Sequence, residues 1–235
     1  MVEDKTRKEL LEEPDPFLVF VGRALAFVKK YQQQILLAVM AVFIAAVAVS
    51  GMLYYQRHSE EKAAEMLGQA ISKYNSLMRK DPKMISYMEP SAEEYDKSKK
   101  AFQEIMDKYG STGAGKAALL NYADLCYRTK EYEEAIKSYE KALDNIGDQA
   151  AFKNLILNGL AYSYEAKQDI ENAAKYFNMI VADEGAVMKD QALFNLGRIY
   201  EKLGKPEQQM EVYKRIVAEY PNSMYFQLAK EKIAG

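Results

Sequence analysis

The chain is poor in the side chains that catalysis and covalent crosslinking most often use. Its 235 residues include one histidine, His58, one cysteine, Cys126, and no tryptophan. One cysteine excludes an intrachain disulfide, and one histidine leaves little basis for a His-based metal site or a Ser-His-Asp triad. Lys and Arg number 32 against 34 Asp and Glu, a net charge of −2, so no basic field favours nucleic acid. Strand signals are missing too: there are no runs of alternating Val, Ile and Thr between tight turns. No metal or cofactor is expected, and no enzyme.

Charge is absent in one place above all. From Tyr31 to Gln56 no residue carries a charge, and Ile35 to Tyr55 reads ILLAVMAVFIAAVAVSGMLYY. At about 1.5 Å per helical residue this stretch matches the roughly 30 Å hydrocarbon core of a bilayer. Arg23, Lys29 and Lys30 precede it. Arg57 and Lys62 follow, diluted by Glu60 and Glu61. The basic excess predicts a cytoplasmic N-terminus and an exported residue 57–235 segment. Tyr31, Tyr54 and Tyr55 sit where interfacial aromatics belong, and His58 reads as a solvated residue at the exit. Ala48-Val49-Ser50 offers a small-x-small cleavage site. Against cleavage, 34 residues precede the run, which is itself too long for a signal core.

Residues 1–16 are charged and carry Pro14 and Pro16, the signature of a disordered cytoplasmic tail. In the 17–34 segment, Phe17, Phe20, Val21, Leu25 and Val28 share a helical face. This pattern suits either an interfacial amphipathic helix or a plain extension of the 35–55 span.

After Arg57 the chain repeats. Ala135, Ile136, Tyr139, Ala142 and Leu143 form one pattern; Ala173, Ala174, Phe177, Ile180 and Val181 form the next. Gln209, Met210, Tyr213, Ile216 and Val217 form a third. The aromatic recurs at 139, 177 and 213, and an earlier copy shows at Phe102, Ile105 and Met106. Preceding helices align as Leu119, Tyr122, Ala123, Cys126; Leu157, Leu160, Ala161, Tyr164; and Leu193, Leu196, Gly197, Tyr200. Small residues at 123, 161 and 197 let the two helices of a hairpin approach closely. These residues resemble the tetratricopeptide repeat, most closely from Asn195-Leu196-Gly197-Arg198-Ile199-Tyr200 through Tyr213 to Pro221. The resemblance covers residues 91–235. It implies an all-α chain: one transmembrane helix, then an α-solenoid of tetratricopeptide-like hairpins.

The spacing predicts hairpins at about 115–145, 151–183 and 188–219, with a capping helix over 222–233 opened by Pro221-Asn222-Ser223. Residues 59–109 make an irregular first unit, helical over 59–80 and 91–109 with a loop from Asp81 to Pro90. Residues 110–235 hold the three repeats and the cap. Cys126 falls on a hairpin-core position and reads as a buried structural thiol.

Gly110-Ser111-Thr112-Gly113-Ala114-Gly115-Lys116-Ala117 nearly spells a phosphate-binding loop. Ala117 stands where the Mg²⁺-ligating hydroxyl belongs, and a helical pattern precedes it instead of a strand, so it reads as an inter-helix turn.

Repeat arrays bind peptides along the face lined by their first helices. Here that face comprises Leu120, Asp124, Tyr127 and Arg128, then Asn158, Tyr162 and Glu165, then Phe194, Arg198, Glu201 and Lys202. Tyr127, Arg128, Asn158, Tyr162, Phe194, Arg198 and Lys202 are the candidate partner-binding residues, suited to a peptide of mixed apolar and acidic character. Replacing Tyr162 and Arg198 should then leave the fold intact. The same helix positions read equally as ordinary helix surface. Leu120 and Asp124 do not fit the carboxylate clamp of chaperone-tail receptors.

The short tail with Asp15-Pro16-Phe17, the single span and the repeat array together resemble the YfgM family. Its members are ancillary subunits of the bacterial Sec translocon. The resemblance, carried by the topology and by Phe17 to Gly68, implies a single-pass protein of the bacterial inner membrane. Its periplasmic repeats would contact secreted chains or periplasmic chaperones. The regular repeats and Tyr220-Pro221-Asn222-Ser223 also resemble cell-division coordinators and outer-membrane assembly lipoproteins. Those lack a retained span of this kind, and this chain has no lipobox cysteine.

Overall fold

A computed structural model describes residues 16–78, 90–146 and 150–234. The described residues are helical apart from short connections. The helices are α1 (Pro16–Met78), α2 (Ala92–Tyr109), α3 (Gly113–Arg128), α4 (Tyr132–Ile146) and α5 (Ala150–Ala166), followed by α6 (Ile170–Ala182), α7 (Lys189–Lys202), α8 (Pro206–Glu219) and α9 (Phe226–Ala234). The chain divides into two units, Met1–Arg57 and His58–Gly235.

In the first unit the described residues are the leading part of α1. Its backbone leaves helical geometry once, at Tyr31 (φ −110°, ψ 16°). Pro16 opens the helix, a position where its missing N–H costs nothing. Pro16, the last residue of the expected tail, is thus helical, and residues 1–15 lie outside the described residues. Large apolar side chains in this unit stand open: Phe43 is 69% exposed and Ile44 63%. α1 is long and apolar enough to cross a membrane.

In the second unit the pattern changes to a stripe. Ala63 and Ala70 are buried, and Met66, Leu67, Ile71 and Tyr74 pack half-buried on the same core. Their spacing of three and four residues is one face of a helix. The end of α1 thus contributes the kind of apolar face that a first hairpin helix presents. The loop expected over 81–90 lies almost wholly outside the described residues.

From α2 onward each helix packs on the next, and α3 also touches α5. That nearest-neighbour pattern defines a solenoid. The core runs through it as one cluster that includes Phe102, Ile105, Leu125, Leu160, Phe177, Leu196 and Tyr213. The recurring aromatics interlock with the small residues. A Cβ on Gly197 would lie 2.4 Å from the Tyr213 ring, and one on Gly159 would lie 2.4 Å from the Tyr139 ring. Ala123, Ala135, Ala161 and Ala173 are all at 0% exposure. Close approach of helices at these points needs side chains no larger than these.

The three turns inside the hairpins share one backbone. Lys130, Gln168 and Gly204 have φ of 65°, 67° and 64°. At each, the following N–H reaches back five residues: Glu131 to Cys126, Asp169 to Tyr164 and Lys205 to Tyr200. This is a Schellman ending, which glycine suits best. Only the last turn has glycine, so Lys130 and Gln168 are strained.

Helix starts are capped unevenly. Ser91 and Glu94 form a reciprocal capping box on α2. Thr112 caps α3 and Asp169 caps α6. The final helix begins at Phe226, not 222. Residues 221–225 are held as a turn, in which Ser223 donates to Asp190 and accepts from the Tyr225 N–H.

Candidate interaction groove

The candidate residues are presented by the first helices of successive hairpins, α3, α5 and α7. Tyr127, Tyr162, Arg198 and Lys202 come together with Glu165, Ala166 and Gln168 around a pocket of about 370 Å³. Tyr127 is tilted on Tyr132 at 5.8 Å, and Tyr162 meets Phe177 edge-on at 5.4 Å. Both rings are half-buried, fixed from beneath with part of each left accessible.

A polar network crosses from α5 to α7. The Tyr162 hydroxyl accepts from Asn195 Nδ2 at 2.8 Å and from Gln191 Nε2 at 3.2 Å. Arg198 donates to Asn195 Oδ1 at 2.9 Å and to Glu165 Oε1 at 3.0 Å. Lys202 Nζ donates to the same Glu165 oxygen at 2.6 Å. Glu165 is buried at 9% exposure, a position a carboxylate tolerates only when paired. Two cations on one carboxylate leave a local excess of one positive charge at the pocket rim.

With these bonds, replacing Tyr162 or Arg198 is expected to carry a structural cost that the sequence does not announce. Both tie neighbouring hairpins together. Removing Arg198 leaves Glu165 with Lys202 alone and frees Asn195 Oδ1.

The other candidates are placed differently. Arg128 turns to Asp124, Nε to Oδ2 at 2.7 Å, an exposed pair on one helix. Asn158 is half-buried on α5 and does not line the pocket. Phe194 lines a second cleft of about 560 Å³ with Pro206, Met210, Leu228, Glu201 and Lys232. Its ring stacks on Tyr225 at 4.8 Å. Leu120 is 8% exposed and belongs to the core, not to the face.

Gln191 and Asn195 escaped the sequence reading. The signal was present: positions 191, 195, 198 and 202 recur at four, three and four residues, a polar stripe beside the apolar Leu193, Leu196 and Tyr200.

The glycine-rich turn at 110–116 has its own occupant. Gly113 and Ala114 N–H groups donate to the Glu60 carboxylate at 2.9 and 3.0 Å. These are the first amides of α3, the ones an anion would seek. Thr112 Oγ1 accepts from Gly115 N–H at 2.9 Å and donates to the Tyr109 carbonyl. A Cβ on Gly115 would lie 2.0 Å from that carbonyl oxygen, so the glycine serves a close backbone approach. A helix, α2, precedes the turn.

Burial pushes the Cys126 thiol up to about 11, which makes it a core side chain and a poor nucleophile. Among the described residues no group of three His, Cys, Asp or Glu could hold a metal ion.

Paired helices stacked in sequence, with a glycine-to-tyrosine contact inside the last pair and another between the first two pairs, define a helical-repeat binding scaffold. The family model described as "Tetratricopeptide repeat-like domain" matches residues 26–233, and the chain belongs to that family. No curated protein matches it. Among solved structures it is similar to a tetratricopeptide repeat protein from Parabacteroides merdae, at 16% identity and a TM-score of 0.58. The match covers 74% of this chain and 59% of that one, so this chain spans less than two thirds of that protein. It is also similar to the TPR-like repeats of a putative kinesin light chain from Podosopora anserina, at 11% identity and a TM-score of 0.55. That match covers 74% of this chain and 84% of that one. At such identities the likeness is one of fold.

Proposed function

We propose that this protein is a membrane-anchored interaction scaffold. α1 crosses the bacterial inner membrane once with its N-terminus in the cytoplasm, and the repeat unit works in the periplasm. The observation that carries this reading is the pocket of Tyr127, Tyr162, Arg198 and Lys202 on successive first helices, in a chain whose leading helix is apolar enough to span. Two half-open phenol rings beside one uncompensated positive charge suit an extended segment with aromatic or aliphatic side chains and a carboxylate. The chain has no catalytic role in this reading.

The most specific form is a translocon-associated subunit whose repeats receive emerging secreted chains or periplasmic chaperones. It rests on the YfgM-like arrangement of tail, span and repeats. The regularity of the three hairpins favours a second reading, an envelope-assembly or cell-division scaffold.

Crosslinking in native membranes followed by mass spectrometry separates the two. Translocon subunits and exported chains should dominate the adducts. Adducts to assembly or division proteins with no translocon subunit would overturn the first reading. A reporter fused after Gly235 should be active only in the periplasm; cytoplasmic activity would overturn the orientation.

A further inference from the structure

The apolar stretch of α1 begins well before the 35–55 span. A straight helix from Pro16 to Tyr55 would be about 60 Å long, roughly twice the hydrocarbon thickness. It would also carry Arg23, Lys29 and Lys30 along the same axis as the span. The backbone breaks at Tyr31, four residues before Ile35. Around the break, Phe27 packs on the Tyr31 ring at 4.8 Å and Lys30 Nζ sits 5.2 Å above it.

The segment before the break is two-sided. At about 100° per residue, Leu18, Phe20, Val21, Leu25, Phe27 and Val28 fall within one arc of about 180°. Val19, Gly22, Arg23, Ala26, Lys29 and Lys30 occupy the other. Phe20 is 70% exposed and Leu25 65%. From Pro16 to Ser59 there is no Asp or Glu, so every charge on this surface is positive.

We infer that residues 16–30 lie in the plane of the membrane, with the Phe20–Leu25 face sunk at the headgroup boundary and Arg23, Lys29 and Lys30 against anionic phospholipid headgroups. Continuity with the span and the charge of the surface select this occupant. The break at Tyr31 is then the corner between the in-plane and the spanning helix, with a tyrosine at the depth where its hydroxyl stays wet. This inference rests on the spanning role given to α1 above.

The test uses the full chain on a Cys126→Ala background, reconstituted in phosphatidylethanolamine–phosphatidylglycerol vesicles. Nitroxide labels are placed singly at Phe20→Cys, Gly22→Cys, Leu25→Cys, Ala26→Cys and Val42→Cys. Collision with oxygen and with a water-soluble nickel chelate reports depth. Nickel access should be high at Gly22 and Ala26 and lost at Phe20 and Leu25, with Phe20 and Leu25 at equal shallow depth. Arg23→Glu with Lys30→Glu should restore nickel access at Phe20 and Leu25. Depth that increases steadily from 20 to 26 would mean one continuous spanning helix and overturn the inference. Nickel access at all four positions would overturn it too, assigning the apolar face to a protein partner missing from pure lipid. Shielding that survives the charge reversal would remove the headgroup contact. Val42 should be deep in every case; if it is not, the spanning role itself fails and takes this inference with it.

Discussion

Between Pro16 and Arg57 large apolar side chains stand open, whereas from Ala63 onward side chains of the same kind close into a core. Phe43 is 69% exposed and Phe102 is 1% exposed, and both are phenylalanines on α-helices. The difference lies in the spacing of the residues between them. Around Phe43 every face of the helix is apolar. Around Phe102, Lys99, Lys100, Gln103 and Glu104 fill the remaining faces. A helix apolar all round calls for an apolar medium, and a helix with one stripe calls for another helix. The exchange happens within α1 itself, where Arg57 ends the uncharged run, Glu60, Glu61 and Lys62 follow, and Ala63 begins the stripe.

The strongest way to break this comparison is to charge the open region. Val42→Arg with Ala45→Arg places two cations near the centre of the span, each costing about 2.5–3.5 kcal/mol on insertion scales. The chain should move from the carbonate-resistant membrane pellet to the soluble fraction. Continued pelleting would mean that the apolar run is not what holds it.

A matched pair of glycines sharpens the contrast. A Cβ at Gly51 meets nothing within 4 Å, whereas one at Gly197 meets the Tyr213 ring. Gly197→Ala should therefore destabilise the repeat unit by about 1–3 kcal/mol, and Gly51→Ala should not. Thermal unfolding of the detergent-solubilised chain, followed by circular dichroism, reads both. Equal melting curves would refute the close packing.

Alkaline pH tests the burial from another side. Burial raises the Cys126 thiol from its ordinary 9.0 to about 11 and the Tyr122 phenol from 10.0 to about 12. Burial also raises Tyr139. A raised folded value means that the unfolded chain releases its proton first. The stability from these groups is complete below about pH 9 and is lost as pH rises toward 12. Urea midpoints should be flat from neutrality to about pH 9 and fall beyond it. A midpoint that holds to about pH 11 would show these groups to be solvated.

The smallest effect lies in the turns. Lys130→Gly and Gln168→Gly should each raise stability by a few tenths to about 1 kcal/mol, since glycine adopts positive φ without strain. Gly204→Ala should lower it by a similar amount. The opposite order would contradict the shared turn geometry.

Much of this was legible in the sequence. The uncharged run and the aromatics at 139, 177 and 213 are signalled by residue type and spacing alone, because a period of 3.6 does not depend on distant partners. Long-range contacts were not legible. Nothing near Glu60 announces that its carboxylate meets the amides of Gly113 and Ala114, more than fifty residues away. Leu120 reads as groove surface because it stands four and seven residues before Asp124 and Tyr127, yet it is 8% exposed and packs in the core. The start of α9 was misplaced because Tyr225 stacks on Phe194 and Ser223 bonds Asp190, contacts from another hairpin that hold the chain out of helix. Within the groove the rings were readable. The Glu165 network was not, since it depends on which oxygen two cations share.

The central claim is that partners meet the first-helix face. It is tested most directly by a photo-crosslinking amino acid introduced singly at Tyr127, Lys202, Lys175 and Lys214 of the full chain in native membranes. Tyr127 and Lys202 line the pocket; Lys175 and Lys214 stand exposed on the second helices α6 and α8. Adducts should form from Tyr127 and Lys202 and be nearly absent from Lys175 and Lys214. Adducts from the second-helix pair with none from the pocket pair would contradict the account.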